Sequence, residues 1–307
     1  MDIPSSIEFK SGFVAVMGRP NVGKSTLING LLGQKIAAVS PRPQTTRRRQ
    51  LGIMTSPTAQ VIFIDTPGVH QPHHKLGEAM NQQAREALED ADLVLWIVDT
   101  SQPPTSEDLL LADLVRSSHQ EAVTILVQNK IDLVPPHEMA QRQSSYQALL
   151  PAALQVFVSA TRGDGCQELL SLIVERLPNG PLYYPEEQVT DLYEREIAAD
   201  LIREAALLHL REEVPHGLAV RIDEYKDRIA GTANAGAAYI AATLLLERET
   251  HKPILIGKGG SMLKKIGTTA RQEIEKLVER KVFLDLRVKV RKNWRDDEET
   301  LKSLGFK

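Results

Sequence analysis

One stretch of eight residues constrains this chain more than any other, Gly18-Arg19-Pro20-Asn21-Val22-Gly23-Lys24-Ser25. It fits the pattern G-x-x-x-x-G-K-[ST], in which backbone N–H groups and a helix N-terminus surround phosphate groups. The apolar residues Gly12 to Met17 predict a strand before this loop, and Thr26 to Leu32 predict a helix after it. We expect Lys24 to reach the outer phosphates of a nucleotide and the Ser25 hydroxyl to bind Mg²⁺.

Two further segments predict ligands for that Mg²⁺. Asp65-Thr66-Pro67-Gly68 ends an apolar strand, which places Asp65 to hold the metal shell and the Gly68 N–H to approach a γ-phosphate. A polar loop with two prolines precedes this strand, and we expect Thr46 of that loop to supply a second hydroxyl, with Thr45 as the alternative. The expected metal ligands are Ser25, Thr46 and Asp65, and the residues expected at the reacting phosphate are Lys24, Thr46 and Gly68.

The identity of the nucleotide base is predicted by Asn129-Lys130-Ile131-Asp132. This motif follows a predicted buried strand over Glu121 to Gln128. The Asp132 carboxylate accepts from guanine N1–H and the exocyclic amine, whereas adenine has no donor at N1 and leaves the buried charge unpaired. Asn129 is expected to brace the loop, and the Lys130 stem to lie along the ring. Ser159-Ala160 follows a later strand, and the Ala160 N–H is expected to donate to guanine O6. The predicted ligands are therefore GTP and GDP.

The remaining pattern of the first 178 residues predicts an α/β fold. Leu51 to Thr55 and Ala59 to Ile64 form a predicted hairpin, and Ala91 to Asp99 is near-continuously apolar, as buried parallel strands are. Helical segments alternate with these strands, which indicates a doubly wound, mostly parallel sheet with its site at the carboxyl ends of the strands. A single cysteine, Cys166, excludes an internal disulfide and suits a reducing cytoplasm.

A proline-rich stretch after residue 178 predicts a domain boundary. We expect a nucleotide domain over 1–178, a semi-rigid linker over 179–189 and a second domain over 190–307. The longest nearly apolar run, Ala237 to Leu246, is too short to span a bilayer, so any membrane association is expected to be peripheral. Asp227 to Ala238 is rich in small residues and predicts a loop.

The second domain carries a predicted nucleic-acid clamp, Ile256-Gly257-Lys258-Gly259-Gly260, which we place between a strand and a helix over Thr269 to Arg280. A G-x-x-G loop permits close approach of a single-stranded nucleic-acid backbone, and a lysine within it meets phosphate. Residues 252–295 hold thirteen lysines and arginines, Lys264 and Lys265 among them, against four acidic residues, inside a chain of net charge −3. Such clustering is expected for phosphate contacts, and the alternative is a solvated basic face.

Taken together these motifs resemble the Era family of bacterial GTPases over almost the whole chain. The segments that carry the resemblance are Gly18 to Ser25, Gln44-Thr45-Thr46-Arg47, Asp65 to Gly68, Asn129 to Asp132, Ser159-Ala160, Tyr183-Tyr184-Pro185-Glu186, Ile256 to Gly260 and Asn293-Trp294-Arg295-Asp296-Asp297-Glu298. The resemblance implies a Ras-like P-loop GTPase domain, a C-terminal type II KH domain and a role in assembly of the 30S subunit. It further implies binding to the 3′ end of small-subunit ribosomal RNA, a monomeric chain in the cytoplasm and a peripheral association with the cytoplasmic face of the membrane.

Several residues leave alternatives open. Val69 stands where Ras-like GTPases carry the glutamine that orients the attacking water, so either another group does so or intrinsic hydrolysis is slow. Asn21 either helps to bind K⁺, as in some related GTPases, or only shapes the loop. The arginines of residues 47–49 form either a solvated loop or RNA contacts. His70, His73 and His74 favour a solvated loop over a metal site, and Trp294 either stacks on a base or packs in its domain.

Three functions fit these patterns. The first is a GTPase whose nucleotide state controls RNA binding. The second is a GTPase that signals through protein or membrane partners, with a structural KH surface. The third is a kinase or ATPase, against which Asn129 and Asp132 argue because they are suited to guanine.

Overall fold

The computed structural model describes residues 8–40, 45–72, 74–118, 123–211, 213–227 and 237–306. It divides into two compact units. The first comprises Met1–Ile36, Thr46–Gln71 and Met80–Asp191, and the second comprises Ala37–Thr45, Pro72–Ala79 and Leu192–Lys307. Gln44, His73 and most of the predicted loop from Asp227 to Ala238 lie outside the described residues.

A six-stranded sheet with the order β2-β3-β1-β4-β5-β6 forms the first unit. Its strands are β1 (Lys10–Met17), β2 (Gln50–Thr55), β3 (Ala59–Asp65), β4 (Leu93–Asp99), β5 (Val123–Asn129) and β6 (Leu154–Phe157). Only β2 is antiparallel to its neighbour, which confirms the predicted hairpin and the mostly parallel sheet. The helices are α1 (Lys24–Leu32), α2 (Lys75–Glu89, which belongs to this unit from Met80 onward), α3 (Ser106–Ser117), α4 (Met139–Gln147) and α5 (Cys166–Arg176).

The core of this unit explains why polar residues gather at one edge. Every residue of β3 and of β4 is buried, as expected for strands that are covered on both faces. Because parallel strands share one direction, their carboxyl ends meet at the same edge of the sheet. The chain places Asp65, Asp99 and Asn129 at those ends, where each closes a strand of apolar residues.

The predicted linker is not a free spacer, because residues 179–191 belong to the first unit. The Ile53 N–H donates to the Val189 carbonyl at 2.9 Å, and the Leu51 N–H donates to Asp191 Oδ1 at 2.8 Å. Both donors lie on β2, the edge strand, whose outward N–H groups need partners. The segment therefore covers the open edge of the sheet, and the boundaries of the linker expected over 179–189 stay a prediction.

A three-stranded sheet with the order β7-β8-β9 forms the second unit. Its strands are β7 (Ala219–Asp227), β8 (Ala238–Leu246) and β9 (Val282–Val290), and its helices are α6 (Glu194–His209), α7 (Lys252–Ile256), α8 (Ser261–Val278) and α9 (Glu298–Ser303). β7 is antiparallel to β8, and β9 is parallel to it. The core lies between one face of this sheet and helices α6 and α8. This arrangement confirms the predicted KH fold.

Two local expectations in this unit were wrong. The residues before the G-x-x-G loop form α7 rather than a strand, because Pro253 fits the first turn of a helix and Gly257 (φ 74°) ends it. Helix α8 begins at Ser261, not Thr269, so Lys264 and Lys265 lie on its first turns. Trp294 is fully buried and its Nε1–H donates to the Gly217 carbonyl at 2.9 Å, so it packs in its own domain.

Candidate functional site

The three oxygen donors predicted for Mg²⁺ meet at one point. Ser25 Oγ lies 2.9 Å from Asp65 Oδ2 and 2.9 Å from Thr46 Oγ1, and Thr46 Oγ1 lies 3.3 Å from Asp65 Oδ2. Thr45 instead donates to the Ser40 carbonyl at 3.5 Å, so Thr46 is the threonine at this cluster. Asp65 Oδ1 is buried and has no hydrogen-bond partner among the described residues. Hydroxyl and carboxylate oxygens of this kind fit Mg²⁺.

The Lys24 ammonium is held beside this cluster by the loop itself. Its Nζ donates to the carbonyls of Gly18 (2.9 Å) and Arg19 (3.1 Å). Burial lowers the pKa of Lys24 to about 8, an effect that the nearby Asp65 carboxylate partly offsets. Burial likewise raises the pKa of Asp65, against the opposing charge of Lys24. Lys24 and Asp65 are therefore opposite charges removed from water: phosphate oxygens would supply anionic partners for Lys24, and a bound cation would supply the partner for Asp65.

Close contacts explain the small residues of the phosphate loop. A Cβ at Gly18 would lie 2.5 Å from the Ile97 carbonyl oxygen, and one at Gly68 would lie 2.7 Å from the Pro20 nitrogen. Gly23 has φ 102°, which favours glycine, and directly precedes α1. Gly68 thus brings its own backbone against the phosphate loop, as expected for a residue near a terminal phosphate. The adjoining Thr66 hydroxyl donates to the Val16 carbonyl at 2.7 Å and fixes this segment to β1.

The predicted base-recognition residues are also brought together. Asn129 Nδ2–H donates to the Val22 carbonyl at 2.7 Å, and its Oδ1 accepts from the Ala160 N–H at 3.0 Å. Asn129 therefore links the phosphate loop to the Ser159-Ala160 segment. Asp132 lies 3.7 Å from the Arg162 Nε, and its side chain is only one-tenth exposed. In this structure the Ala160 N–H is directed to Asn129, so its expected contact with guanine O6 stays a prediction.

A buried charge cluster under these loops escaped the sequence interpretation. Asp99 Oδ2 accepts from Lys130 Nζ at 2.7 Å and lies 3.9 Å from Arg19 Nη2. Arg19 Nε lies 3.3 Å from Asp108 Oδ2, and Lys130 Nζ also donates to the Asn21 carbonyl at 2.8 Å. Asp99 thus joins a residue of the phosphate loop to one of the base-recognition loop. The sequence signal for this role was an aspartate at the end of a buried strand, β4, which lies in the sheet between β1 and β5, the strands that precede the phosphate loop and the base-recognition motif.

The structure bears on three of the alternatives that the sequence left open: the roles of Asn21, Val69 and the arginine run. Asn21 has φ 65°, a left-handed conformation that asparagine tolerates, so it does shape the loop, and its K⁺ role stays a prediction. Val69 packs against the core of the first unit. Within the arginine run, Arg47 is buried and Arg49 Nη1 pairs with Asp90 Oδ2 at 2.6 Å, so neither is simply solvated.

The histidines do not form a metal site in the part of the chain that the structure describes. His70 Nδ1 lies 3.0 Å from the Gly68 carbonyl oxygen, whereas His74 Nδ1 lies 3.1 Å from Asp296 Oδ2. Among the described residues no group of three or more His, Cys, Asp or Glu is arranged to hold a metal.

The G-x-x-G loop in the second unit has the backbone that its glycines predict. Gly257, Gly259 and Gly260 all have positive φ angles, of 74°, 59° and 81°. A Cβ at Gly259 or Gly260 would meet nothing within 4 Å, so the loop has open space around it. Helix α8 follows at once and carries Lys264 and Lys265. No helix of the described residues is long and apolar enough to cross a membrane.

Comparison with known proteins agrees with this geometry. Residues 13–130 match a family model described as a 50S ribosome-binding GTPase, and residues 213–295 match a KH domain. A protein of Geobacter metallireducens called GTPase Era is 46% identical over 298 residues, which cover 97% of this chain and 98% of that protein. GTPase Era of a Nostoc species is 48% identical over 302 residues, covering 98% of this chain and 90% of that protein.

Two solved structures are similar over nearly their full length. Era in complex with MgGDPNP and nucleotides 1506–1542 of 16S ribosomal RNA has a TM-score of 0.91 at 39% identity and covers 97% of this chain and 99% of its own. A single-residue variant of Aquifex aeolicus Era bound to GDP and AlF₄⁻ has a TM-score of 0.90 at 38% identity, with the same coverage. This chain, with a Ras-like GTPase domain and a C-terminal KH domain, belongs to the Era family of GTPases.

Proposed function

We propose that this chain binds and hydrolyses GTP with Mg²⁺ and couples its nucleotide state to binding of the 3′ end of small-subunit ribosomal RNA during assembly of the 30S subunit. The observation that carries the catalytic part is the meeting of Ser25, Thr46 and Asp65 oxygens beside the buried Lys24. The observation that carries the RNA part is the open, left-handed G-x-x-G loop between α7 and α8.

Each part of the nucleotide site has a proposed task. Lys24 and the N–H groups of the phosphate loop bind and orient the phosphates, and Gly68 brings its N–H to the terminal one. Asp132 reads the guanine edge, while Asn129 holds the base-recognition and phosphate loops together. Bound Mg²⁺ supplies positive charge at the phosphate oxygens, where Ser25, Thr46 and Asp65 would hold it. The wider binding set that we propose is Gly18 to Thr26, Asp65 to Val69, Asn129, Lys130, Asp132, Ser159 and Ala160.

The choice of RNA rests on the relatives. The family model that matches the GTPase domain is described as a 50S ribosome-binding GTPase, but it covers only residues 13–130. The Era complex with 16S ribosomal RNA matches 97% of this chain and includes its KH domain, so it is the better guide to the RNA. We propose the same RNA class here, with contacts through Ile256 to Gly260, Lys264 and Lys265. We also propose that the chain is a cytoplasmic monomer with peripheral membrane contact. This part of the proposal is supported only by the family resemblance.

The experiment that tests the RNA part is the substitution Gly259→Asp, which adds a negative charge where phosphate is expected. The space around Gly259 is open, so an aspartate side chain meets no neighbour, and the φ of 59° is a left-handed conformation that aspartate adopts more readily than most residues. Gly33→Asp is the matched control, because Gly33 has φ 69° and equally open surroundings but lies at the end of α1. We expect Gly259→Asp to abolish RNA binding while GTP hydrolysis persists, and Gly33→Asp to retain both.

Retained RNA affinity in the Gly259→Asp variant would refute the clamp. If the wild-type chain binds no RNA, or binds it with an affinity that salt does not weaken, the alternative is favoured, in which the GTPase signals through protein or membrane partners.

A further inference from the structure

Gln50, the first residue of β2, is a buried polar side chain that belongs to none of the sequence motifs. It is 4% exposed, and Leu51 and Ile53 of the same strand lie in the apolar core of the first unit. A buried amide costs free energy unless it forms hydrogen bonds. A glutamine at this position therefore requires a polar partner close by.

That partner is Asp65, one of the three expected Mg²⁺ ligands. Gln50 and Asp65 are directly opposite each other in the antiparallel β2–β3 register, so their side chains lie on the same face of the sheet. Gln50 Nε2 donates to Asp65 Oδ2 at 3.3 Å. The flipped amide would place its oxygen against the carboxylate oxygen with no proton between them, so the nitrogen is the atom that faces Asp65.

Among the described donors to Asp65 Oδ2, only Gln50 has no expected contact with the metal. Ser25 Oγ (2.9 Å) and Thr46 Oγ1 (3.3 Å) are hydroxyl oxygens that can also bind a cation. The amide nitrogen of Gln50 can only donate. It therefore continues to hold Oδ2 when the hydroxyl oxygens bind Mg²⁺, and it leaves the buried Oδ1 for the metal shell.

Gln50 also lies at a mechanically important point of the chain. It follows Thr46 where the loop that carries this threonine enters β2. The bond to Asp65 therefore fixes the end of the loop against β3, in addition to the backbone pairing of the two strands. One side chain thus restrains two of the three expected metal ligands, Asp65 directly and Thr46 through the loop.

We propose that Gln50 is a positioning residue that holds the Asp65 carboxylate ready for Mg²⁺. The inference rests on the proposed function, because it assumes that Ser25, Thr46 and Asp65 bind Mg²⁺ together with the nucleotide. Hydrogen bonds from outer-shell residues increase metal affinity because they orient a ligand before the metal binds.

The test is a calorimetric titration of Mg²⁺ into the full-length chain, purified with a bound non-hydrolysable GTP analogue and freed of metal. We expect Gln50→Leu and Gln50→Met each to weaken Mg²⁺ binding by about tenfold, which is at the low end for loss of an outer-shell partner. The low end applies because the lost bond is long, at 3.3 Å, and comes from a neutral donor. Both replacements have a volume similar to that of glutamine and lack a donor, so they should act alike.

Kinetics separate a positioning role from a merely structural one. The Mg²⁺ concentration that half-saturates GTP hydrolysis should rise by about tenfold in both Gln50 variants, while kcat at saturating Mg²⁺ stays within about twofold of the wild type. Affinity for the GTP analogue in EDTA should also stay within about twofold, because Lys24 keeps its bonds to the Gly18 and Arg19 carbonyls.

Gln60→Leu is the matched control. Gln60 is a fully buried glutamine on β3, and its Nε2 donates to Thr55 Oγ1 and to the Tyr184 carbonyl rather than to a metal ligand. This variant loses the hydrogen bonds of a buried amide without a change at Asp65. It should therefore be less stable in a urea titration and keep wild-type Mg²⁺ affinity, which separates loss of stability from loss of metal binding.

The outcomes distinguish this inference from the proposed function. Wild-type Mg²⁺ affinity in both Gln50 variants, or an equal loss in Gln60→Leu, overturns the positioning role. A lower kcat at saturating Mg²⁺ with unchanged Mg²⁺ affinity overturns it as well. In each case the metal site itself stands if Thr46→Ala still weakens Mg²⁺ binding. If the wild-type nucleotide complex binds no Mg²⁺, both the inference and the proposed function fail.

Discussion

Asp99 offers the sharpest test of how the nucleotide site is held together. Its carboxylate is 2% exposed, accepts from Lys130 Nζ at 2.7 Å and lies 3.9 Å from Arg19 Nη2. The other carboxylate oxygen accepts from the Ser101 N–H at 3.1 Å. The substitution Asp99→Asn keeps the shape and one acceptor but removes the charge. Lys130 then loses the anion that positions it beside the phosphate loop.

The size of the effect follows from these contacts. A hydrogen bond to a charged group contributes about 1.5–3 kcal/mol. Lys130 is 29% exposed and keeps its bond to the Asn21 carbonyl, and Arg19 keeps Asp108, so the loss is smaller. We expect about 1–2 kcal/mol, which corresponds to a 5- to 30-fold weaker affinity for GDP.

The assay is a titration with a fluorescent GDP analogue, followed by competition with inorganic tripolyphosphate. The affinity for tripolyphosphate, which has no base, should change by less than about twofold, because Lys24 keeps its bonds to the Gly18 and Arg19 carbonyls. Asp92→Asn is the control, since Asp92 directly precedes the same strand at its opposite end and accepts from the Phe13 N–H at 2.8 Å. Wild-type GDP affinity in Asp99→Asn, or an equal loss for both ligands, would refute the reasoning.

Three further predictions address the metal, the cation and the sheet edge. Thr46→Ala should raise the Mg²⁺ concentration required for GTP hydrolysis by about tenfold or more, whereas Thr45→Ala should not; equal effects would contradict the assignment. Hydrolysis by the wild type should be faster in K⁺ than in Na⁺ if Asn21 binds K⁺, and equal rates would show that Asn21 only shapes the loop. Gln60→Leu should lower the free energy of unfolding by about 2–4 kcal/mol in a urea titration, because buried Gln60 makes hydrogen bonds to the backbone of Tyr183 and Tyr184. An unchanged midpoint would mean that the docking of this segment contributes nothing to stability.

The nucleotide site was predictable because its chemistry is carried by short, closely spaced motifs. A glycine, a lysine and a hydroxyl in fixed register can be found without knowledge of the fold, as at Gly23-Lys24-Ser25. The sheet was predictable for a related reason, since buried strands such as Leu93–Asp99 are near-continuously apolar. The choice between Thr45 and Thr46, in contrast, depended on loop geometry and needed the structure.

Other features had weak or ambiguous signals. The apolar run Ile254-Leu255-Ile256 within α7 is too short for periodicity to separate a strand from a helix. Helix α4, Met139–Gln147, was missed because it is mostly polar and buries only Tyr146. The docking of residues 179–191 on β2 uses backbone donors, which no side-chain pattern reveals. Asp99 contacts Arg19 and Lys130 in the loops that follow β1 and β5, so its role appears only when β1, β4 and β5 are assembled.

The central claim is that the nucleotide state of the first unit controls RNA binding by the second. The most direct test compares RNA affinity of the full-length chain bound to GDP and bound to a non-hydrolysable GTP analogue, each at two salt concentrations. The RNA is the single-stranded 3′ end of small-subunit ribosomal RNA. The account predicts tighter binding in the GTP-analogue state, with an affinity that falls as salt rises. Equal affinity in both nucleotide states would contradict it and would direct the search to protein or membrane partners.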